Sequence, residues 1–219
     1  MNLVHAVYEP SGEGPHPTIV ALHGWGASGL DLLGLAPFLA GGQFMVLCPQ
    51  GPIEVPLGPM SGWGWFPLTA GGPLDVDAFG RGLSALQQFL DHACERYPVD
   101  PRKLVVLGFS QGGVMAYALA LNDPQRFAGL VALSSWLPAP LAGSLAPADR
   151  SQLPTLVHHG KTDEMIEVSR GQESLERLRQ LGVPASYREF DMGHEITGPS
   201  LTDLSRWLAD KVLSPIILA

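Results

Sequence analysis

Short apolar runs alternate along the chain with segments whose apolar residues recur every three or four positions. Six runs, each five or six residues long, predict strands: Thr18–Leu22, Phe44–Cys48, Lys103–Leu107, Gly129–Leu133, Thr155–His159 and Ala185–Phe190. Helical spacing predicts helices over 76–93, from Ser110 to Leu121, over 168–181 and from about 199 to 212. This alternation is typical of an α/β fold with a mostly parallel sheet and helices on both faces.

The 219 residues show no linker or shift in composition that would divide them, so a single domain over 1–219 is predicted. The one irregular insert is 50–75, which contains Gly and Pro throughout and clusters three aromatic residues. It is longer than a typical loop, which favours a functional loop on the substrate side. Residues 134–154 are too few for a separate cap domain, so we expect an open groove.

Charge and hydropathy narrow the choice of partner. Three uncharged stretches (32–53, 104–122 and 127–148) have the length of a membrane helix, but each contains Gly or Pro. Buried strands of a parallel sheet explain them better, so no membrane span is predicted. A net charge of −8 with only 13 scattered Lys and Arg argues against a nucleic-acid partner.

The cysteines and the two ends of the chain bear on location and assembly. Cys48 and Cys94 have no metal-ligand spacing; a disulfide is possible on count, but two reduced, buried thiols are the simpler interpretation. Residues 1–18 lack the pattern of a secretory signal, so a cytoplasmic protein is expected. The apolar tail 215–219 either docks on its own core or forms a homodimer contact.

One motif predicts nucleophilic catalysis. The predicted strand Lys103–Leu107 continues into Gly108-Phe109-Ser110-Gln111-Gly112, a G-x-S-x-G pattern followed by helical spacing. A nucleophile at such a position sits on a sharp turn, and glycines on both sides are needed because strand and helix backbones crowd that turn. Ser110 is therefore the candidate nucleophile.

A serine nucleophile needs a base and an acid that orients the base. His194 is the candidate base because it alone among the seven histidines lies on a Gly-containing loop after the last predicted strand. Asp163, just past the strand Thr155–His159, is the candidate acid. Asp191 is a rival, but it lies only three residues before His194 on the same loop; Glu164 and Asp203 are weaker rivals.

A glycine-rich loop after the first strand suits an oxyanion hole. His23-Gly24-Trp25-Gly26 would let backbone amides turn inward, so the amides of Trp25 and Gln111 are the candidate donors. The same stretch also fits the dinucleotide pattern G-x-G-x-x-G over 24–29. The acid expected about 20 residues later is absent from Val46–Gln50, which disfavours a nucleotide cofactor; no cofactor and no metal are predicted.

Aromatic and aliphatic residues near the insert and after one strand predict an apolar wall for the substrate. The residues assigned to it are Trp63, Trp65, Phe66, Trp136, Leu137 and Met165. Such a wall favours an uncharged, apolar acyl or aryl ester of short or medium chain length.

These motifs together resemble the phospholipase/carboxylesterase family of α/β-hydrolases, which includes bacterial carboxylesterases and acyl-protein thioesterases. The likeness lies in Leu22–Gly26, Gly108–Gly113, His159–Asp163 and Met192–Glu195, and it covers nearly the whole chain. The resemblance implies Ser110 as nucleophile, His194 as base, Asp163 as orienting acid and Trp25 with Gln111 as oxyanion donors. Trp25 departs from the smaller aliphatic residue that is common there in the family.

The predicted function is a serine carboxylesterase acting on a small-molecule ester. A lysophospholipase or acyl-protein thioesterase would use the same residues, and a serine peptidase of this fold usually adds a propeller or a cap. A non-catalytic binding protein of the same fold is the alternative from a different class.

Overall fold

The computed structural model of the chain describes residues 3–68 and 74–213. The strands are β1 (His5–Tyr8), β2 (His16–Leu22), β3 (Met45–Pro49), β4 (Ile53–Leu57), β5 (Met60–Gly64), β6 (Val99–Phe109), β7 (Gly129–Leu133), β8 (Thr155–Gly160) and β9 (Ala185–Phe190). The α-helices are α1 (Val76–Arg96), α2 (Gln111–Asn122), α3 (Ala139–Ser144), α4 (Val168–Gln180) and α5 (Gly198–Leu208). Turns of 3₁₀-helix lie within Leu33–Gly42, which is interrupted by non-helical backbone at 39–41, and cover Pro124–Arg126; a π-helical turn covers Ala209–Leu213.

Seven strands form the main sheet in the order β1-β3-β2-β6-β7-β8-β9. β1 pairs antiparallel with β3, and all other neighbours are parallel. The chain leaves β2 toward β3 on one side and later returns as β6 on the other. The carboxyl ends of β2 and β6 therefore border the crevice where open α/β sheets place their ligands.

Helices cover both faces of this sheet, as the sequence predicts. Side chains from α1, α2 and α4 join Val20, Leu22 and Val106 in one core. Side chains from α5 and from Leu33–Gly42 join Ile19 and Ala21 in the other. Successive side chains of β2 thus point alternately into the two cores. Because both faces of the sheet are buried, the central strands are apolar throughout.

The predicted elements agree with the structure, and the sequence analysis missed others. All six predicted strands and all four predicted helices are present. β1 was missed, and the insert 50–75 is not wholly irregular, because β4 and β5 form an antiparallel hairpin within it. Pro56 in one strand and two glycines in the other hide the usual strand pattern. Between β7 and β8 the only helix is the six-residue α3, so no separate cap is present there.

The cysteine prediction is half wrong. Cys48 is buried in β3, where desolvation raises the pKa of its thiol to about 12, whereas Cys94 is exposed on α1. Both are free thiols. Within residues 3–68 and 74–213, no helix combines the length and apolar character needed to cross a membrane. The apolar tail 215–219 lies outside the described residues.

A buried histidine lies on the α5 side of β8. His158 Nε2 is 3.0 Å from Asp203 Oδ2, and Arg188 Nε lies 3.0 Å from the same carboxylate oxygen. Its ring also contacts Phe190 edge-on, at 4.8 Å between centroids. Burial lowers the pKa of His158 and outweighs the opposing pull of Asp203, whose charge is already shared with Arg188.

The lowered pKa of His158 predicts how the free energy of unfolding depends on pH. Because the pKa of His158 is lower in the folded state, the unfolded chain takes up the proton first as pH falls below about 6.5. The free energy of unfolding should therefore decrease between pH 7.5 and 5. In His158→Gln, which keeps a donor toward Asp203 but does not titrate, that decrease should be smaller by about 1–3 kcal/mol in urea unfolding.

The exposed His92 on α1 provides the control, because His92→Gln makes the same substitution at a surface position. The decrease in the free energy of unfolding between pH 7.5 and 5 should be larger in His92→Gln than in His158→Gln. An equal decrease in His158→Gln and the unaltered protein would contradict the assignment of this pH dependence to His158.

Candidate active site

Ser110 occupies a strained turn between β6 and α2. Its backbone has φ 53° and ψ −120°, a conformation that residues other than glycine rarely adopt. A Cβ at Gly112 would lie 2.7 Å from the His23 carbonyl oxygen and closer still to that of Leu22. A Cβ at Gly108 would meet the Gly112 carbonyl, so the glycine spacing in the motif has a direct steric cause.

Three hydrogen bonds hold this turn from different directions. The Ser110 amide donates to the Leu133 carbonyl at 2.9 Å, which ties the turn to the end of β7. The Ser110 carbonyl accepts from Ser135 Oγ at 2.7 Å and from the Gly113 amide at 3.0 Å. The surrounding backbone thereby fixes a conformation that the serine would not keep alone.

Asp163 and His194 form a hydrogen-bonded pair. His194 Nδ1 donates to Asp163 Oδ2 at 2.8 Å, which leaves the Nε2 lone pair free to accept a proton. The carboxylate is buried, and its other oxygen accepts from the amides of Met165 at 3.0 Å and Ile166 at 2.8 Å. The orientation of the imidazole is thus set by a carboxylate that is itself held.

The rival acids have other contacts. Asp191 is exposed and accepts a hydrogen bond from Lys161 Nζ at 2.8 Å. Asp203 pairs with His158 and Arg188, as described above. Glu164 is exposed next to Asp163. The hydrogen bond from His194 to Asp163 therefore favours Asp163 over all three.

The same cavity receives Ser110 and His194. Both residues line a space of about 700 Å³, and the rings of Phe109 and His194 are 4.8 Å apart between centroids. Since Phe109 directly precedes Ser110, this contact places the imidazole beside the turn. The structure therefore brings together the three residues that the sequence analysis proposed from distant parts of the chain.

His159 supports the loop that carries Asp163, a contact that its place in the predicted strand Thr155–His159 did not specify. His159 Nε2 donates to the Ile166 carbonyl at 2.7 Å and lies 3.7 Å from Asp163 Oδ2. The imidazole is fully buried, and Gly171 on α4 leaves room for it, because a Cβ there would lie 2.5 Å from His159 Nδ1. Its spacing of four residues from Asp163 was the available signal.

The loop after β2 lies against the turn that carries Ser110. A Cβ at Gly24 would be 3.3 Å from Ser110 Cβ, and Trp25 lines the same cavity as Ser110. His23 anchors this loop: its Nε2 accepts from the Gly51 amide at 2.9 Å, so Nδ1 carries the proton and donates to the Gly24 carbonyl at 2.7 Å. Burial lowers the pKa of His23, which favours this neutral form.

Gln111 has two roles in the architecture. Its backbone begins α2, where amides have no intrahelical partner and the helix dipole is positive. Its buried side chain accepts from the Trp65 amide at 2.9 Å and donates to the Phe66 carbonyl at 2.6 Å. Gln111 thereby connects the segment after β5 to the turn that carries Ser110.

The structure places only part of the predicted apolar wall in this cavity. Trp136 and Met165 line the cavity with Ser110 and His194, whereas the other four assigned residues do not. Trp65, Phe66 and Leu137 are buried, although Phe66 and Leu137 also line an adjoining cavity. The Trp63 amide donates to the Ala27 carbonyl at 2.8 Å. The chain after β5 turns inward under α1, where Phe66 contacts Phe79 at 5.3 Å between ring centroids.

The sequence analysis did not assign several other residues that line the cavity. The further lining residues include Asp31, Leu32, Leu68, Phe109 and Ile166. Phe109 and Ile166 are close in sequence to Ser110 and Asp163, and that proximity was the signal available. Across the part of the chain that the structure describes, no three His, Cys, Asp or Glu residues are grouped so as to hold a metal ion.

Comparison with known proteins identifies the family of the chain. The model of the phospholipase/carboxylesterase family matches residues 4–212. The chain is 32% identical to acyl-protein thioesterase 1 from Gibberella zeae over 173 residues, which cover 73% of this chain and 72% of that protein. It is 28% identical to a probable SOBER1-like carboxylesterase from Arabidopsis thaliana over 68% of this chain, and spans only 60% of that relative.

A solved structure of esterase PE8 superposes with a TM-score of 0.84 at 26% identity, covering 96% of this chain and all of that one. The predicted α/β-hydrolase fold is thereby confirmed, as is the prediction of an enzyme that hydrolyses carboxylic ester bonds. The chain belongs to the phospholipase/carboxylesterase family of α/β-hydrolases.

Proposed function

We propose that the protein is a serine carboxylesterase that hydrolyses short- to medium-chain apolar esters through an acyl-enzyme. The observation that carries this proposal is the cavity lined by both Ser110 and His194, with His194 bonded to Asp163 at 2.8 Å. In this proposal Ser110 is the nucleophile, His194 the general base and Asp163 the residue that orients the imidazole.

The chemistry proceeds in two halves. His194 Nε2 takes the Ser110 proton while Oγ attacks the ester carbonyl, and the same nitrogen then protonates the departing alkoxide. An acyl group remains on Ser110, and the alcohol leaves. Water enters, loses its proton to His194 and attacks the acyl carbonyl; the carboxylic acid departs and the proton returns to Ser110.

Backbone amides of Trp25 and Gln111 are assigned to the oxyanion. The Gly24 backbone packs against Ser110, and Gln111 opens α2, so both amides belong to segments that border the nucleophile. Preorganised donors of this kind typically contribute about 10²–10³ in rate each. The positive end of the α2 dipole favours the same negative charge.

The cavity supports an apolar substrate of limited length. Trp25, Leu32, Leu68, Trp136 and Met165 contribute its apolar surface. Leu68 and Met165 are exposed at the surface, so the site is an open cleft. A cleft of about 700 Å³ suits a small ester with one face left to solvent.

Thioester hydrolysis is the second candidate, favoured by the 32% identity to the acyl-protein thioesterase of Gibberella zeae. Oxyesters and thioesters with the same acyl group, assayed side by side, distinguish the two. A value of kcat/KM at least tenfold higher for the oxyester supports the carboxylesterase; the reverse supports the thioesterase.

Ser110→Ala should leave the protein folded and reduce kcat by about 10⁴-fold or more, because the remaining groups cannot form the acyl-enzyme. The measurement is hydrolysis of a 4-nitrophenyl ester together with labelling by a fluorophosphonate probe. Ser144→Ala, at an exposed serine that ends α3, is the control and should retain full rate and labelling. Labelling of Ser110→Ala would contradict the nucleophile assignment, and an unaltered, folded protein that neither labels nor turns over would favour a non-catalytic binding protein.

Trp25→Leu should shift the preferred acyl length upward. The indole lies in the cavity and also packs against Gly64, so its removal frees space next to Ser110 while the backbone donor remains. With 4-nitrophenyl esters of graded acyl length, we expect the maximum of kcat/KM to move to a longer chain.

The control for this change is Trp63→Leu, which removes an indole that does not line the cavity. Its length profile should match that of the unaltered protein. An unchanged maximum in Trp25→Leu would show that the indole does not limit the acyl site.

A further inference from the structure

A second cavity of about 420 Å³ adjoins the one that contains Ser110. The two cavities share Leu68 and Trp136, so the indole of Trp136 stands at their junction. On its far side the second cavity is lined by α4, which contributes Arg170, Glu173 and Arg177. A substrate seated at Ser110 that extends past Trp136 enters a chemically different space.

The charges in this second cavity do not cancel. Arg177 donates to Glu173 Oε2 at 3.1 Å and also to the Leu137 carbonyl at 3.2 Å, so these two charges are paired. Arg170 forms no ion pair with any carboxylate in the ranges 3–68 and 74–213. The cavity therefore carries one uncompensated positive charge, in a chain whose net charge is −8.

The ring of Trp136 holds the guanidinium of Arg170. The guanidinium carbon lies 5.9 Å from the centroid of the indole, which is a cation–π distance. An arginine stacked in this way keeps its N–H donors along the edge of the plane, where they can bind a carboxylate or phosphate through two parallel hydrogen bonds. The residue shared by both cavities thus also positions an unpaired anion-binding group.

We propose that the second cavity is a subsite for an anionic group of the substrate and that Arg170 binds it. The favoured substrate would then be an ester with an apolar segment next to the scissile bond and a carboxylate or phosphate at its far end. This inference rests on the proposed esterase function and refines it, because the apolar cleft at Ser110 and the cation beyond Trp136 recognise different parts of one molecule.

The test compares three series of 4-nitrophenyl esters whose acyl chains end in a methyl, a carboxylate or a phosphate. In the unaltered protein, at least one anionic series should exceed the neutral series in kcat/KM at a chain length that spans the junction, and added KCl should reduce the advantage. Arg170→Gln should reduce kcat/KM for that anionic ester about tenfold, mainly through KM, because a charge-assisted pair is lost. Neutral esters should change less than about twofold.

Arg179→Gln is the matched control, since Arg179 is an exposed arginine on the same helix that pairs with Glu176 and does not line the cavity. It should leave all three series unchanged. Equal losses for neutral and anionic esters in Arg170→Gln, or no anionic preference at any length, would overturn the subsite while neutral turnover keeps the esterase proposal intact. Absence of hydrolysis for every series, together with no fluorophosphonate labelling, would overturn both.

Discussion

The architecture depends on the close approach of three backbone segments around Ser110. The end of β2, the end of β6 and the start of α2 meet there without intervening side chains, because Gly108 and Gly112 have none. The approach costs backbone strain at Ser110, and the fold compensates by hydrogen bonds to Leu133 and Ser135. The order of the strands brings the other residues of the candidate site to the same place, since the loops that follow β2, β8 and β9 lie at the same edge of the sheet.

The candidate site was predictable from local sequence because each of its proposed functional groups lies within four residues of the end of a strand. Ser110, Asp163 and His194 come after β6, β8 and β9, and parallel strands present their carboxyl ends along one edge. Knowledge of the strand ends was therefore enough to expect their proximity. The hydrogen bond between Asp163 and His194 agrees with that expectation.

The lining of the cavity was less predictable because aromatic residues serve a core as well as they serve a pocket. Trp65 and Phe66 follow β5 inward, and their backbone groups bond to Gln111, a contact between residues about 45 positions apart. No local pattern reports such a contact. The hairpin of β4 and β5 was not predicted for a related reason. Pairing between the two strands stabilises them although Pro and Gly are individually unfavourable in strands. His159 shows the same limit: its apolar strand predicts burial, but its bond to Ile166 depends on a loop whose path the sequence does not give.

Gln111 separates two kinds of constraint at a single position. The amide assigned to the oxyanion belongs to the main chain and does not depend on which side chain the residue has. The side-chain carboxamide of Gln111, in contrast, is hydrogen-bonded to the backbone of Trp65 and Phe66. The side chain of Gln111 therefore supports the scaffold, and its hydrogen bonds are separate from the role proposed for its amide. A residue next to a catalytic serine can thus be needed for structural reasons alone. If replacing Gln111 lowers turnover, the loss would report how firmly the segment after β5 is held in place.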